Sequence, residues 1–420
     1  MISNHYNFRE LVAKVRETTG KLASLSDDQR NKVIIRLAEL LSQNHSDIFK
    51  ANKLDLEKMD ETNPLYDRLR LTDSRLDAIQ DSLRYIASLP SPVGEIIEKR
   101  RLPNGIELEK RRVPFGVIGI IYEARPNVTV DVFALCFKSG NASILKGGSD
   151  AANSNEAIMK IIRKALEESG LSEFSCILLP SSHQATENLL NAVGLVDLCI
   201  PRGGKSLINF VRDNARIPVI ETGAGVVHTF FDREGNPEIA RKVIENGKTR
   251  RVSVCNALDS LLVDKARLMD LPILIHPLAE KHVELYADPD AFLVLKGNYP
   301  DSLLFKASQD DYSREWMDYK MGVFTVNNVE EAIKQINRHG SGHSESIITE
   351  NRATAEKFCN EVDAACVYVN LPTSFTDGGE FGLGAEIGIS TQKLGPRGPM
   401  GLSEITTYKY ILSGNGQTRP

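Results

Sequence analysis

Cysteine is scarce in this chain and follows no pattern. The six cysteines, at positions 136, 176, 199, 255, 359 and 366 of 420 residues, include no CxxC pair. Zinc ribbons and a disulfide framework are therefore not indicated, and free thiols fit a reducing, cytoplasmic compartment. Net charge is small too, −5 at pH 7, which argues against nucleic acid or an anionic membrane held by bulk charge. The densest basic stretch, EKRRLPNGIELEKRR at 98–112, is interleaved with glutamates and reads as solvated surface. No apolar run approaches the roughly 20 residues of a membrane span, and MISNHYNFRE contains no signal core. Internal repeats and low-complexity segments are absent. So is the dinucleotide fingerprint GxGxxG: after Gly382-Leu-Gly384 the next glycine falls too late, at Gly388.

What is present is a change of hydrophobic period. Over the first ninety residues the period is helical, as in Phe8, Leu11, Val12 and Val15. Ser26 and Gln29 form a capping box ahead of Val33, Ile34, Leu37, Leu40 and Leu41. Asn104-Gly105 signals a two-residue hairpin turn. Apolar strands then alternate with helices. Strands are expected at 116–122, 142–148, 176–180, 196–200 and 217–221, with helices near 151–168, 184–193 and 204–214. A second series follows, with strands at 227–232, 258–263, 292–296, 321–326 and 365–370 and helices at 237–247, 265–286, 329–337 and 351–361. Strands this uniformly apolar are buried on both faces, so the fold class is α/β, with two domains of helix-covered parallel sheet joined near 221–226. The β-branched, aromatic stretch ITTYKYIL at 405–412 could pair with the early hairpin.

Several residues could carry chemistry. The Gly203-Gly204 turn opens a helix and can hold a phosphate on backbone N–H groups; a plain strand-to-helix turn is the alternative. Lys146 and Ser149 lie at the end of a strand, where an acidic residue would select NAD. A cation there suits a 2′-phosphate, hence NADP(H), although a surface lysine would look the same. Glu221 ends an expected strand, at the sheet edge where α/β enzymes place functional groups. Cys255 follows Lys248, Arg250 and Arg251, cations of the kind that lower a thiol pKa, whereas Cys136, Cys176, Cys199 and Cys366 lie in apolar runs as core residues do. His339 and His343 lie four apart in a Gly/Ser-rich loop with no third ligand at metal spacing, so an anion or substrate loop is the better reading, beside an ordinary loop.

The stretches PFGVIGIIYEARPNVT (114–129), IPRGGKSLI (200–208), ETGAG (221–225), SVCNAL (253–258), GSGHSE (340–345) and TDGGEFGLGAEIGIS (376–390), with GPMGL (398–402) and TYKY (407–410), together resemble the aldehyde dehydrogenase superfamily. Within it they are similar to the branch that reduces L-glutamate 5-phosphate in proline biosynthesis. The resemblance runs from residue 114 nearly to the end. It implies an NADP-binding domain of Rossmann type (1–97 with 114–225), a catalytic domain (226–395) and a small β oligomerisation flap (98–113 with 396–420). It further implies Cys255 as nucleophile, Glu221 as the superfamily's general base and Asn127 as oxyanion donor, the last with a shifted register. Lys146, Ser149, Gly203, Gly204 and Glu315 are then cofactor contacts, Glu315 at the nicotinamide ribose. Arg125, His343 and Ser344 are assigned to the substrate and its phosphate. Two positions depart from the branch: Ser374 replaces an arginine, and Val252 a proline.

The reaction so implied is attack of the Cys255 thiolate on an acyl phosphate, loss of phosphate, and reduction of the thioester by NADPH to L-glutamate 5-semialdehyde. The implied partners are this small-molecule substrate, an upstream glutamate 5-kinase and further copies of the chain. The rival readings are an aldehyde dehydrogenase that uses water, with Glu221 as base, and a non-catalytic relative.

Overall fold

A computed structural model of the chain describes residues 7–419 apart from 62, 64, 65 and 124. It divides into two compact units: Met1–Thr222 with Gly382–Gly388 and Met400–Pro420, and Gly223–Phe381 with Ile389–Pro399.

The first unit begins with helices whose starts are written in the sequence. Asn7 and Glu10 cap helix Phe8–Ser24 reciprocally. Ser26 and Gln29 do the same for Asp27–Gln43, as their spacing predicts, and Val33, Ile34, Leu37, Leu40 and Leu41 form its buried stripe. The hairpin follows, β1 (Ile96–Arg101) antiparallel to β2 (Glu107–Pro114). Its loop is longer than the two residues expected: the Leu102 N–H donates to the Ile106 carbonyl, and Gly105 takes φ +84° to close the bend. β3 (Val117–Tyr122), β4 (Ala142–Gly147), β5 (Cys176–Leu178) and β6 (Leu198–Arg202) form a parallel sheet in the order β5-β4-β3-β6. The expected strand at 217–221 shrinks to one bridge, Val219 beside Cys199. Pro218 has no N–H to extend a ladder, so the pairing stops at two bonds on either side of Cys199.

The second unit holds β7 (His228–Phe231), β8 (Ser260–Asp264), β9 (Glu284–Ala287), β10 (Leu304–Lys306), β11 (Lys320–Val326), β12 (Ser344–Ile348) and β13 (Cys366–Val369). They make one parallel sheet in the order β10-β9-β11-β8-β7-β12-β13. Three of these, β9, β10 and β12, lie outside the expected strands, and the helix expected over 265–286 ends at Glu280. The strand expected at 292–296 falls instead largely in helix Pro289–Leu295. Asp288 accepts the Ala291 N–H and Pro289 sits at the first turn, so the start signal outranks the short apolar run. β14 (Ile389–Ser390) and β15 (Gly398–Pro399) pair within the same unit.

β16 (Thr406–Ser413) belongs to the first unit and runs antiparallel along all of β2, from Thr406 opposite Pro114 to Ser413 opposite Glu107. The terminal strand and the hairpin thus make one three-stranded sheet, as the strand chemistry of 405–412 suggests. No helix of the described residues is long and apolar enough to cross a membrane.

Candidate active site

In the first unit, the strand order turns back at β3: β4 and β5 lie to one side and β6 to the other. A parallel sheet opens a crevice at such a reversal, outside the carboxyl ends of its strands. Three of those ends carry polar groups. Glu123 follows β3, Lys146 lies near the end of β4, and Gly203-Gly204 follow β6 and open helix Lys205–Asn214. The Gly204 N–H donates to the Glu123 carboxylate at 2.9 Å, and a Cβ at Gly203 would collide with that same carboxylate. The turn therefore receives an anionic oxygen, as a helix N-terminus should. Lys146 is partly buried; desolvation pulls its pKa down, and the Glu123 charge opposes that shift. Ser149 is exposed at the start of the turn that follows β4. The Gly203-Gly204 turn and the partly buried Lys146 are groups able to hold phosphates of a dinucleotide cofactor.

Helix Pro126–Lys138 follows Glu123. Arg125 is its N-cap and Asn127 lies in its first turn, both partly exposed. The Asn127 amide donates to Asp131 one turn later at 3.2 Å, and desolvation pushes the Asp131 carboxyl up to about 6. Glu221, partly buried just beyond the Val219 bridge, has the Arg212 guanidinium 3.7 Å away.

In the second unit, Cys255 lies in the loop between helix Pro237–Thr249 and β8, at the end where β8 begins. Burial distinguishes it. Cys136, Cys176, Cys199 and Cys366 are buried, Cys359 is exposed, and Cys255 is intermediate. Desolvation raises the thiols of Cys136, Cys176 and Cys199, the last two to about 12, so they stay protonated.

The loop is held from two sides. The side chain of Asn256, the next residue, donates to the carbonyls of Thr376 at 2.9 Å and Ser374 at 3.3 Å, and the Asn256 backbone carbonyl accepts from the Thr373 hydroxyl at 2.8 Å. On the other side Gly225 packs so closely that a Cβ there would fall on the Cys255 carbonyl. Gly225 donates its N–H to Glu315 at 2.9 Å. Cys255, Gly225 and Glu315 thus form one contact set.

The cationic flank read beside Cys255 is different in kind. Lys248 is fully buried, donates to the Leu258 carbonyl at 3.0 Å and has its pKa pulled down by desolvation. Buried Asp259 is raised by its own desolvation and opposes that shift. Arg250 and Arg251 are exposed. Lys248 therefore answers a buried carboxylate and a carbonyl of the scaffold.

His343 and Ser344, read as substrate contacts, are both fully buried. His343 pairs with the Ser344 hydroxyl at 2.7 Å, Ser344 with the Thr376 hydroxyl at 2.6 Å, and Thr376 with the Tyr368 hydroxyl at 2.7 Å. Burial lowers the His343 imidazole to about 4, which keeps it neutral. This chain of polar groups runs through Thr376, whose carbonyl accepts from Asn256. Thr373, Thr376 and Asp259 were missed from the sequence, although Thr376 lies in a quoted motif. Ser374, where the branch has arginine, donates to Asn246 at 2.7 Å. Among the described residues, no group of three His, Cys, Asp or Glu could hold a metal ion.

Residues 321–410 match the model of the aldehyde dehydrogenase family. The chain is 53% identical over 412 residues to the γ-glutamyl phosphate reductase of Pelodictyon phaeoclathratiforme, covering 98% of both chains. It is 54% identical over 413 residues to that of Bacteroides fragilis, covering 98% of this chain and 100% of the relative. This chain belongs to the γ-glutamyl phosphate reductase family. The crystal structure of the Thermotoga maritima γ-glutamyl phosphate reductase superposes with a TM-score of 0.94 at 42% identity, over 98% of this chain and 99% of the other. The α/β, aldehyde-dehydrogenase-like fold expected from the resemblance is thereby shown.

Proposed function

We propose that the protein reduces L-glutamate 5-phosphate to L-glutamate 5-semialdehyde with release of phosphate, using NADPH, as a step in proline biosynthesis. The observation that carries this reading, beside the family membership, is the Cys255 loop: a partly open thiol held between Asn256 and Gly225 while the thiols of Cys136, Cys176, Cys199 and Cys366 are buried.

The Cys255 thiolate attacks the acyl carbon. A C–S bond forms, the C–O bond to phosphorus breaks, and phosphate leaves with its electron pair. Asn127 and backbone N–H groups around Cys255 are the proposed donors to the oxyanion of the tetrahedral intermediate. The cofactor, when bound, supplies a hydride equivalent to the thioester carbon. Breaking the C–S bond then returns the thiolate and frees the aldehyde. No water is activated in this direction, so Glu221 is not needed as a base and serves as a proton shuttle or scaffold.

In this reading Lys146 and Ser149 hold the 2′-phosphate of the cofactor, Gly203 and Gly204 its pyrophosphate, and Glu315 the nicotinamide ribose. Arg125 remains our choice for the substrate phosphate. An acyl phosphate is too labile to accumulate, so an ATP-dependent glutamate 5-kinase must supply it in the same compartment, which we take to be the cytoplasm. The sheet β1-β2-β16 leaves Ile96, Ile97, Tyr408, Tyr410 and Leu412 exposed, and we assign it to self-association. Oxidation of NADPH on addition of freshly generated L-glutamate 5-phosphate tests the function; no oxidation at any enzyme concentration would refute it.

A further inference from the structure

Four consecutive backbone N–H groups at the entry to β7 are accepted by side chains. Gly225 donates to Glu315 at 2.9 Å, Val226 to the Ser341 hydroxyl at 2.8 Å, Val227 to Asp259 at 3.3 Å, and His228 to Glu345 at 2.8 Å. In a parallel sheet such groups ordinarily pair with carbonyls of the neighbouring strands. Here the acceptors come from separate segments: the loop before β11, the loop before β12, the entry to β8, and β12 itself. Asp259 and Glu345 are buried and Asp259 also accepts the Trp316 N–H at 2.9 Å, so the far end of this strap is anchored in the core. Glu315 is partly exposed and holds the near end, where Gly225 meets the Cys255 carbonyl.

We infer that Glu315 is a positioning residue for the nucleophile, acting through Gly225. Its carboxylate keeps the Gly225 backbone pressed on the Cys255 carbonyl, and that contact, opposed by the Asn256 clamp, sets the direction of the thiol. The physical requirement is twofold. Residue 315 must supply an acceptor oxygen, and residue 225 must lack a Cβ. This role is separate from any contact of Glu315 with a cofactor, because it runs through the Gly225 N–H. It rests on the reading of Cys255 as nucleophile.

The test is alkylation of Cys255 by iodoacetamide without cofactor, followed against pH and located by peptide mass, in the full chain carrying Cys359→Ser. That substitution removes an exposed thiol outside the site. Glu315→Ala should slow the plateau rate roughly ten-fold, the order expected for loss of one charge-assisted hydrogen bond. Glu315→Gln keeps an acceptor oxygen and should restore the rate to near the parent's. Gly225→Ala should slow it at least as much as Glu315→Ala, and it decides the matter if Glu315→Ala fails to fold. Parental rates in folded Glu315→Ala, or in Gly225→Ala, would overturn the inference. Equal slowing in the Ala and Gln variants would overturn it too, since an acceptor would then not suffice. Turnover of the alkylated parent separates this from the underlying reading: full turnover after complete alkylation would mean that Cys255 is not the nucleophile.

Discussion

Asn256 donates its side-chain amide to the Thr376 carbonyl across 2.9 Å, in a place where both residues are buried. This bond ties the Cys255 loop to the segment following β13. Asn256→Ala leaves the carbonyls of Thr376 and Ser374 without that donor. The cost should be roughly 1–3 kcal/mol of stability, with a matching fall in kcat as the Cys255 loop loosens. Urea unfolding and steady-state rates measure both. An unchanged midpoint with unchanged kcat would show that the clamp does nothing.

Cys255→Ala should abolish turnover and leave NADPH binding intact, because the proposed covalent bond is to this thiol and no cofactor contact is assigned to it. Cys255→Ser should be nearly as inactive, a hydroxyl being far less ionised at neutral pH. Cofactor fluorescence titration and a rate assay on the same samples give the answer. Wild-type rates in either variant contradict the covalent route.

Lys146→Ala should weaken NADPH more than NADH, by about ten- to a hundred-fold, the range for losing one charge-assisted contact to a phosphate. Dissociation constants for the two cofactors, measured at one ionic strength, are sufficient. If both weaken equally, Lys146 touches only what the two cofactors share.

His343 should make stability depend on pH in a defined window. Its imidazole, fully buried, is protonated only near pH 4 in the folded protein, against about 6.5 when exposed. The unfolded chain therefore binds a proton first as pH falls. Folding loses stability from about pH 6.5 down to about pH 4, by up to roughly 3 kcal/mol, and is unaffected by this group above that window. His343→Gln should remove that part of the slope. Urea midpoints of parent and variant at pH 7 and pH 4.5 test this; an unchanged difference between the two proteins at both pH values would mean that His343 is not held neutral.

The central strands were legible because β3, β4, β6 and β8 are largely apolar and buried on both faces, as in a covered parallel sheet. β12 was not, since it opens with Ser344, Glu345 and Ser346. Their burial depends on partners distant in sequence, such as His228, whose ring nitrogen lies 3.0 Å from Glu345. For the same reason the burial of His343 and Ser344 was not legible, because Gly and Ser around a histidine look like a loop until the tertiary partners are placed. Cys255 was singled out correctly as unlike the core cysteines, but part of the argument was wrong: Lys248 is a buried scaffold group. The clamp of Thr373 and Thr376 on Asn256 joins positions far apart in the chain and carries no local signature.

The account stands most directly on phosphate. If the acyl-enzyme is made with loss of phosphate, the reverse reaction from L-glutamate 5-semialdehyde must use phosphate to resolve the thioester. The measurement is the rate of NADPH formation from the semialdehyde and NADP, with and without inorganic phosphate at fixed ionic strength. Turnover that rises from near zero and saturates with phosphate is the predicted result. The same rate in phosphate-free buffer would mean that water resolves the thioester, with Glu221 as its base, and would contradict the reductase chemistry proposed for Cys255.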